Sequence, residues 1–202
     1  MKENASNEIK VILVGEMATG KTSLINATMG LKFQETMVST TTNSFFSKTI
    51  TINSKKYNLN LWDTIGQEKY RSLTKIFIKD SKIVFFVYDI TRKNTFKELD
   101  FWYKVILDIL DDEPILGICG NKSDLIMKEE VPEEMIKKYS MEKNIPYKLT
   151  SAKDPLTFNK FLEELVKKYL EKCGVNVGND NKKSGGINLR GGGKNPEKKK
   201  CC

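Results

Sequence analysis

Residues 11–22, VILVGEMATGKT, constrain the fold of this chain more than any other stretch. Four apolar residues lead into Gly15, and then Gly20, Lys21 and Thr22 complete the pattern G-x-x-x-x-G-K-[ST]. Such glycines let the backbone curl around an anion, and the N–H groups of the loop and of the following helix point inward. The lysine can reach the β- and γ-phosphates, and the hydroxyl can ligate Mg²⁺. The stretch therefore predicts a buried strand, a phosphate loop (P-loop) for a nucleoside di- or triphosphate, and then a helix.

Short apolar runs alternate with amphipathic stretches along the rest of the chain, which predicts alternating strands and helices. The runs at 11–14 and 83–87 are continuous, as expected of central strands covered on both faces. The first two strands after the P-loop, joined by Asn53 and Ser54, show the alternation of a hairpin. The predicted strands are 9–14, 44–52, 57–62, 83–89, 115–120 and 145–149, and the predicted helices are 21–29, 95–110, 133–142 and 158–172. The fold class is α/β, with ligands bound beyond the carboxyl ends of parallel strands.

The composition excludes several classes of chemistry. Histidine is absent, which excludes Ser–His–Asp triads, Cys–His pairs and any zinc site that contains histidine. The four cysteines match no zinc spacing. The formal charge is +8, but seven Lys/Arg against two acidic residues fall in 174–202, so we expect no nucleic-acid partner for the domain itself. The polar N-terminus and the short apolar runs predict a cytosolic protein without a membrane-spanning segment.

The stretch ICGNKSD indicates which base is bound, which a P-loop alone does not. Asn121 and Lys122 directly follow a predicted strand, so this stretch lies at the same sheet edge as the P-loop. The Asp124 carboxylate can accept hydrogen bonds from N1–H and the 2-amino group of guanine, whereas adenine offers no such pair of donors. The stem of Lys122 can lie along the purine, and the turn 151–153 (Ser-Ala-Lys) can offer a backbone N–H to the guanine O6. The ligand is therefore predicted to be a guanine nucleotide.

The stretch WDTIGQE, residues 62–68, supplies the remaining groups at that edge. Asp63 ends a predicted strand and can hold Mg²⁺ through water. The N–H of Gly66 can bind the γ-phosphate, and Gln67 can orient an attacking water. These residues predict hydrolysis of the bound nucleotide.

These motifs together resemble those of the Ras-superfamily small GTPases over about residues 8–173. The most similar branch is Rab, on the strength of KYRSLT (69–74), FFVYDIT (85–91) and the terminal Cys-Cys. The resemblance implies a P-loop NTPase with a Ras-like G domain, a mostly parallel six-stranded sheet with helices on both faces. It divides the chain into a flexible N-terminus (1–7), the G domain (8–173) and a disordered basic tail (174–202).

The resemblance also implies roles for individual residues. Thr40 corresponds to the switch I threonine that completes the Mg²⁺ shell when GTP is bound, and Phe33 to the aromatic that packs edge-on to guanine. The residues implied to contact the nucleotide are Gly15, Ala18, Thr19, Gly20, Lys21, Thr22, Ser23, Phe33, Thr40, Gly66, Asn121, Lys122, Asp124, Ser151, Ala152 and Lys153. Mg²⁺ is implied to be held by Thr22, Thr40 and Asp63, and catalysis to depend on Gln67 and Lys21. Phe45, Trp62 and Phe77 correspond to an aromatic triad that Rab effectors contact, or they simply pack in the core.

Several positions depart from the family pattern. Met17 and Ala18 replace the usual small P-loop residues, and Met17 is expected near the γ-phosphate, where an activating protein inserts its arginine. Ile65 replaces the usual alanine beside Gly66. Switch I, STTTNSFF, lacks the glycine and the acidic residue that typically follow the Mg²⁺ threonine. These departures suggest slow GTP hydrolysis, unless neighbouring residues compensate.

The chain ends EKKKCC, and this ending predicts membrane attachment. Cys201 and Cys202 do not fit C-a-a-X but resemble the double cysteine on which Rab proteins receive two geranylgeranyl groups. Two lipid chains, or one with a polybasic patch such as Lys198–Lys200, anchor a protein stably. The tail before them is expected to be a flexible tether.

The leading hypothesis is therefore a Rab-like GTP/GDP switch, tethered to the cytoplasmic face of an intracellular membrane and cycling with the cytosol, that regulates vesicle traffic. Its implied partners are an exchange factor, a GTPase-activating protein, escort or dissociation-inhibitor proteins and effectors, with a monomeric G domain. A second hypothesis keeps the GTP-binding tether or scaffold but impairs hydrolysis. A P-loop kinase is a third class, although the predicted domain has only Arg71 and Arg92 to build an acceptor lid.

Overall fold

A six-stranded sheet forms the centre of the molecule. The computed structural model of the protein describes residues 7–34, 44–64 and 76–177. The strands are β1 (Glu8–Val14), β2 (Ser44–Ile52), β3 (Lys55–Asp63), β4 (Ile83–Asp89), β5 (Ile115–Asn121) and β6 (Tyr147–Leu149). They lie in the order β2-β3-β1-β4-β5-β6, in which β2 pairs antiparallel with β3 and every other pair is parallel. The predicted fold class, a mostly parallel six-stranded α/β sheet, is confirmed.

The predicted hairpin is the antiparallel pair β2–β3. Asn53 and Ser54 join the strands with positive φ values of 49° and 62°. Positive φ at both central residues is the mark of a type I′ turn, whose twist matches that of the strands it joins. The turn fixes a register that places Phe45 opposite Trp62.

Helices cover both faces of the sheet. They are α1 (Lys21–Thr28), α2 (Lys93–Lys97), α3 (Leu99–Ile109), a 3₁₀ helix (Ser123–Lys128), α4 (Glu133–Lys143) and α5 (Pro155–Lys172). On one face, the core includes Leu24 of α1 and Phe158 of α5, with the Phe158 ring 5.0 Å from that of Phe85. On the other face, it includes Trp102 of α3 and Ile136 of α4. All seven residues of β4 are buried, as its continuous apolar run predicts.

Three of the predicted elements differ from the observed ones for reasons that the structure shows. The helix predicted at 95–110 is two helices, α2 and α3, separated at Glu98, and the first begins two residues early, where the Thr95 hydroxyl accepts the N–H of Asp89 and donates to the carbonyl oxygen of Arg92. The strand predicted at 145–149 begins only at Tyr147. Ile145 donates its N–H to the carbonyl oxygen of Ser140 in α4, and Pro146 has no N–H to give the sheet.

The third difference is the last helix, which begins at Pro155, three residues before the predicted start at residue 158. Asp154 caps it by accepting the N–H of Leu156 at 3.2 Å, and Pro155 occupies the first turn. These are ordinary signals of a helix start. Its apolar residues Phe158, Phe161, Leu162 and Leu165, at helical spacing, lie in the core.

The chain continues in contact with the domain for a few residues beyond Cys173. Val175 and Val177 pack against the core on the α1 and α5 side of the sheet. Between them, the carbonyl oxygen of Asn176 accepts a hydrogen bond from Nδ2 of Asn53 at 2.9 Å. The division into a domain and a flexible tail at 173/174 stays a prediction, but residues 174–177 lie against the hairpin turn. No helix within the described ranges has both the length and the apolarity needed to cross a bilayer.

Candidate nucleotide site

Four strands end along one edge of the sheet and set out the site. Val14, Asp63, Asp89 and Asn121 are the last residues of β1, β3, β4 and β5. The parallel registers place Asp63 beside Leu13 and Asp89 beside Asn121. The loops that follow β1, β3 and β5 carry the predicted motifs, so the topology brings together residues as far apart in sequence as Thr19 and Asn121, which are separated by 102 positions.

The P-loop, residues 15–20, lies between β1 and α1. Gly15 has φ of 146°, and a Cβ there would lie 2.1 Å from the carbonyl oxygen of Val87. Gly20 has φ of 92° and lies against Asn121, so that a Cβ would meet Nδ2 at 2.3 Å. Both glycines are therefore required by backbone conformation and by close approach. Ala18 also has positive φ, 59°, which is a costly conformation for a residue with a side chain and is typical of functional loops.

Lys21 folds back over this loop. Its ammonium donates to the carbonyl oxygens of Gly15 at 2.8 Å and Glu16 at 3.0 Å. Burial lowers the pKa of Lys21 to about 8, although the negative charges of Asp63 and Glu16 act in the opposite direction. The adjacent N-terminus of α1 has no side-chain cap. A buried ammonium beside uncapped N–H groups is suited to a polyphosphate, which would favour the charged form of the lysine.

A candidate Mg²⁺ site lies at the start of α1. The Thr22 hydroxyl donates to Oδ2 of Asp63 at 2.6 Å. Oδ1 of Asp63 is buried and has no hydrogen-bond partner in the described part of the chain. Burial raises the pKa of Asp63, which the Thr22 hydrogen bond and the charge of Lys21 only partly oppose. A hard oxygen pair with one buried oxygen to satisfy fits Mg²⁺, which prefers oxygen ligands.

The base end of the site is built around Asp124. Its carboxylate accepts a hydrogen bond from Oγ of Ser151 at 2.7 Å and pairs with Nζ of Lys153 at 3.1 Å. Burial alone would raise the pKa of Asp124, but the hydrogen bonds from Ser151 and Lys153 outweigh it and the pKa is lowered. The carboxylate is therefore ionised at neutral pH, as a hydrogen-bond acceptor for N1–H and the 2-amino group of guanine must be. Nζ of Lys153 also lies 5.4 Å from the centre of the Phe33 ring, so Phe33 stands at the base end.

In the turn after β6, residues 151–153, two of the three backbone N–H groups already have acceptors within the protein. The N–H of Ser151 donates to the Thr157 hydroxyl at 3.0 Å, and the N–H of Lys153 donates to the Ser151 hydroxyl at 3.1 Å. Among the three described residues of this turn, the N–H of Ala152 is therefore the best candidate to meet the guanine O6.

Asn121 braces the base end against the P-loop. Its Nδ2 donates to the carbonyl oxygen of Thr19 at 2.8 Å, and its Oδ1 accepts from the Thr150 hydroxyl at 3.4 Å. Asn121 is buried, so both ends of its amide are used within the protein. Asn121 therefore has a structural role, because its side chain ties the end of β5 to the P-loop.

Sequence reasoning missed Asp89 and Arg92 as site residues. The Asp89 carboxylate, 1% exposed, pairs with Nζ of Lys122 at 2.6 Å and with Nε of Arg92 at 2.9 Å. Arg92 in turn donates from Nη2 to the carbonyl oxygen of Met17 in the P-loop at 2.9 Å. The signal available was the carboxylate at the end of a buried strand in FFVYDIT, at the same edge as the other motifs.

The aromatic triad forms one continuous surface beside the site. The Trp62 ring lies 5.5 Å from that of Phe45 and 5.7 Å from that of Phe77. Phe45 is 54% exposed, whereas Trp62 and Phe77 are partly buried against the core. The three rings are therefore neither fully buried nor separate.

The predicted residues Thr40, Ile65, Gly66, Gln67, Cys201 and Cys202 lie outside the described residues. Ser23 lies on α1, in the turn that follows Lys21. The roles predicted for Ser23 and for the residues outside the described ranges stay predictions.

Comparison with known proteins agrees with this geometry. The model of the Ras family matches residues 10–171. Ras-related protein SEC4 of Saccharomyces cerevisiae is 34% identical over 196 residues, which cover 96% of this chain and 91% of that protein. Ras-related protein Rab5A of Oryza sativa subsp. japonica is 32% identical over 174 residues, covering 85% and 86%. Human Ras-related protein Rab-21 is 37% identical over 164 residues, covering 81% and 70%.

Proposed function

Because the chain belongs to the Ras family of small GTPases and is most similar to Rab proteins, we propose that it is a membrane-tethered GTP/GDP switch that regulates vesicle traffic. The observation that carries the proposal is one edge of one sheet with a buried cation for phosphate at Lys21 and an ionised carboxylate for guanine at Asp124. A guanine nucleotide offers matching groups at both ends.

The P-loop binds the phosphates in this proposal. Two donors of the Lys21 ammonium bind the carbonyl oxygens of Gly15 and Glu16 and the third is available to a phosphate oxygen, and the N–H groups at the start of α1 add positive potential. Thr22 and Asp63 are the described residues that would hold Mg²⁺. When bound, Mg²⁺ supplies positive charge that neutralises the β- and γ-phosphates.

The switch depends on the two segments that follow α1 and β3. In the GTP state, Thr40 and Gly66 are held at the γ-phosphate, Gln67 orients the attacking water, and loss of the γ-phosphate releases both segments. The second segment, which follows β3, begins at a residue that the structure describes. The hydroxyl of Thr64, two residues before Gly66, donates to the carbonyl oxygen of Leu13 at 2.7 Å, so switch II, about residues 64–78, starts from a fixed point.

The surface formed by Phe45, Trp62 and Phe77 is the proposed effector contact. Its rings adjoin switch I and switch II, so that a partner resting on it also senses the nucleotide state. Exposed aromatic side chains of this kind supply much of the affinity in protein interfaces. The exchange factor and the GTPase-activating protein are proposed to act on the same two switches.

The membrane attachment is proposed from the tail alone. Two lipidated cysteines, Cys201 and Cys202, with Lys198–Lys200 beside them, would hold the protein at the cytoplasmic face of an intracellular membrane. Escort and dissociation-inhibitor proteins would cover the lipids when the protein cycles through the cytosol.

A second candidate is the same switch with impaired hydrolysis, a GTP-bound tether. The Met17 side chain is 44% exposed on the P-loop, where an arginine from an activating protein would approach. Single-turnover GTP hydrolysis of the wild type, Met17→Gly and Ile65→Ala, with and without an activating protein, separates the candidates. Faster hydrolysis by either variant supports the GTP-bound tether with impaired hydrolysis. Equal rates for the wild type and both variants support the switch with ordinary hydrolysis.

The proposed function is tested by following radiolabelled GTP on the purified protein. With Mg²⁺, we expect release of one phosphate per bound GTP and retention of GDP, and no comparable turnover of ATP. Gln67→Leu keeps the nucleotide contacts and should slow this step by at least about tenfold. Turnover of ATP at the rate of GTP would favour the kinase-type alternative and contradict the proposal.

A further inference from the structure

The buried carboxylate of Asp89, at the edge of the sheet, pairs with two cationic side chains, those of Lys122 and Arg92. Oδ2 accepts from Lys122 at 2.6 Å and from Nε of Arg92 at 2.9 Å. Oδ1 accepts from the backbone N–H of Thr91 at 2.9 Å and from its hydroxyl at 2.7 Å. Both oxygens of this buried carboxylate are thus occupied, and Lys122 and Arg92 are held at fixed positions relative to β4.

The two cations point to opposite ends of the nucleotide site. Lys122 belongs to the base loop, next to Asn121 and two residues before Asp124. Arg92 extends from the start of α2 to the P-loop, where Nη2 donates to the carbonyl oxygen of Met17 at 2.9 Å. A guanidinium has donors on both sides of a planar fork, so a single side chain makes both contacts, which an ammonium cannot do in the same geometry.

The outer carbonyl groups of the P-loop are held by side chains at several positions. Lys21 binds the carbonyl oxygens of Gly15 and Glu16, and Asn121 binds that of Thr19. Arg92 binds the carbonyl oxygen of Met17, in the middle of the loop. A peptide whose carbonyl group is fixed in this way has its N–H group fixed in the opposite direction, and inward N–H groups are what cradle phosphates. The Lys21 ammonium uses two of its three donors on these carbonyl oxygens, which leaves one for a phosphate oxygen, whereas Arg92 contacts the loop from outside the phosphate side through its bond to the Met17 carbonyl oxygen.

We propose that Arg92 is a positioning residue that orients the middle of the P-loop toward the β- and γ-phosphates and so slows nucleotide release, with Asp89 as the anchor that couples the P-loop to the base loop. This inference rests on the proposed function and specifies which residue sets nucleotide residence time at that site. Loss of Arg92 leaves the guanine contacts of Asp124 in place and removes the hydrogen bond that orients the Met17 carbonyl group.

The experiment loads the full-length protein with a fluorescent GDP and follows its release after addition of excess unlabelled GDP in Mg²⁺. Arg92→Ala should release GDP about three- to tenfold faster than the wild type, as expected from loss of one solvent-exposed hydrogen bond. Arg92→Lys should also release GDP faster than the wild type, because all donors of an ammonium lie on one nitrogen, whereas Nε and Nη2 of Arg92 reach Asp89 and Met17 from separate positions. Lys82→Ala is the matched control, since Lys82 pairs only loosely with the exposed Asp112 at 3.4 Å, away from the site, and should release GDP at the wild-type rate.

A second readout distinguishes positioning from general loosening of the fold. The dissociation constants of GDP and GMP are measured for each variant. Arg92→Ala should weaken GDP binding about three- to tenfold and GMP binding less, because GMP lacks the phosphates that the middle of the loop contacts. If Arg92→Ala does not fold, Arg92→Gln, which keeps one amide donor, replaces it and is expected to show the same change in the GDP/GMP ratio.

The outcomes separate the inference from the proposed function. Wild-type release rates for both Arg92→Ala and Arg92→Lys, or an equal loss of GDP and GMP affinity, would overturn the positioning role while leaving a guanine-nucleotide switch intact. Failure of the wild type itself to retain GDP would overturn both. Faster GDP release by both variants, together with a lower GDP/GMP preference, supports the inference.

Discussion

Replacing Gly15 by alanine tests how the P-loop is joined to the sheet. Gly15 has φ of 146°, and the new Cβ would lie 2.1 Å from the carbonyl oxygen of Val87 and 3.1 Å from its carbonyl carbon. Both atoms belong to the backbone of β4, the central strand, and cannot move aside as a flexible side chain could. Strained backbone conformations cost about 1–3 kcal/mol, and overpacking of a filled site costs about 1–3 kcal/mol more. We therefore expect Gly15→Ala to lower the free energy of unfolding by about 4 kcal/mol.

Gly30→Ala is the matched control within the same chain. Gly30 also has positive φ, 81°, but a Cβ there meets nothing within 4 Å. Only the conformational cost applies, about 1–2 kcal/mol. The difference of about 2–3 kcal/mol between the two variants therefore combines the contact with β4 and the extra backbone strain of φ 146° at Gly15 over φ 81° at Gly30.

The assay is equilibrium unfolding in urea, followed by the fluorescence of the chain's two tryptophans. Trp102 is 1% exposed and reports loss of the core. The titration is run in EDTA without nucleotide and again with excess GDP and Mg²⁺, because a ligand of the native state adds its own stabilisation. Equal destabilisation by Gly15→Ala and Gly30→Ala in the absence of nucleotide would refute the argument that β4 excludes a side chain at Gly15.

Three further predictions follow from the charged residues of the site. Asp63→Asn should remove most of the Mg²⁺ dependence of GDP retention, so that EDTA accelerates GDP release much less than in the wild type; an undiminished EDTA effect would argue against Asp63 as a ligand. Asp124→Ala should reduce the preference for GDP over ADP in competition binding by at least about 10²-fold, because the acceptor for two guanine donors is lost. Asp89→Asn should cost stability at pH 7, and that cost should shrink as the pH falls below about 4. Burial would raise the pKa of Asp89, but hydrogen bonds from Lys122 and Thr91 outweigh it and lower the pKa. The native state therefore binds this proton less readily than the unfolded state, so the stabilisation is present above the unfolded pKa and is lost with acid; urea titrations of both proteins at pH 7, 5 and 3 measure it, and a pH-independent difference would contradict it.

The fold was largely predictable because its signals are local. The continuous apolar runs of β1 and β4, the alternation of β2 and β3, and the turn residues Asn53 and Ser54 each specify their own structure within a few residues. The P-loop and the NKSD stretch were predictable for a related reason. Each combines special backbone geometry with charged side chains. Because both loops follow parallel strands of the sheet, they lie at the same edge, beyond the carboxyl ends of those strands.

What could not be predicted depends on contacts between segments far apart in sequence. Apolar periodicity does not show the hydrogen bond from the N–H of Asp89 to the Thr95 hydroxyl, which ties the first turn of α2 to the end of β4. The Arg92 contact to Met17 spans 75 residues and requires the position of two loops to be known. The late start of β6 reflects a competing bond from Ile145 to α4. In each case a polar side chain or a single backbone N–H selects between alternatives that the apolar pattern leaves equal.

The most direct test of the account is a competition experiment on the purified protein with Mg²⁺, in which GDP, GMP and ADP each displace a fluorescent GDP. If Asp124 selects the base and the P-loop holds the phosphates, GDP will displace the probe at concentrations at least about 10³-fold below ADP and well below GMP. Equal potency of GDP and ADP would contradict the assignment of Asp124, and equal potency of GDP and GMP would contradict that of the P-loop.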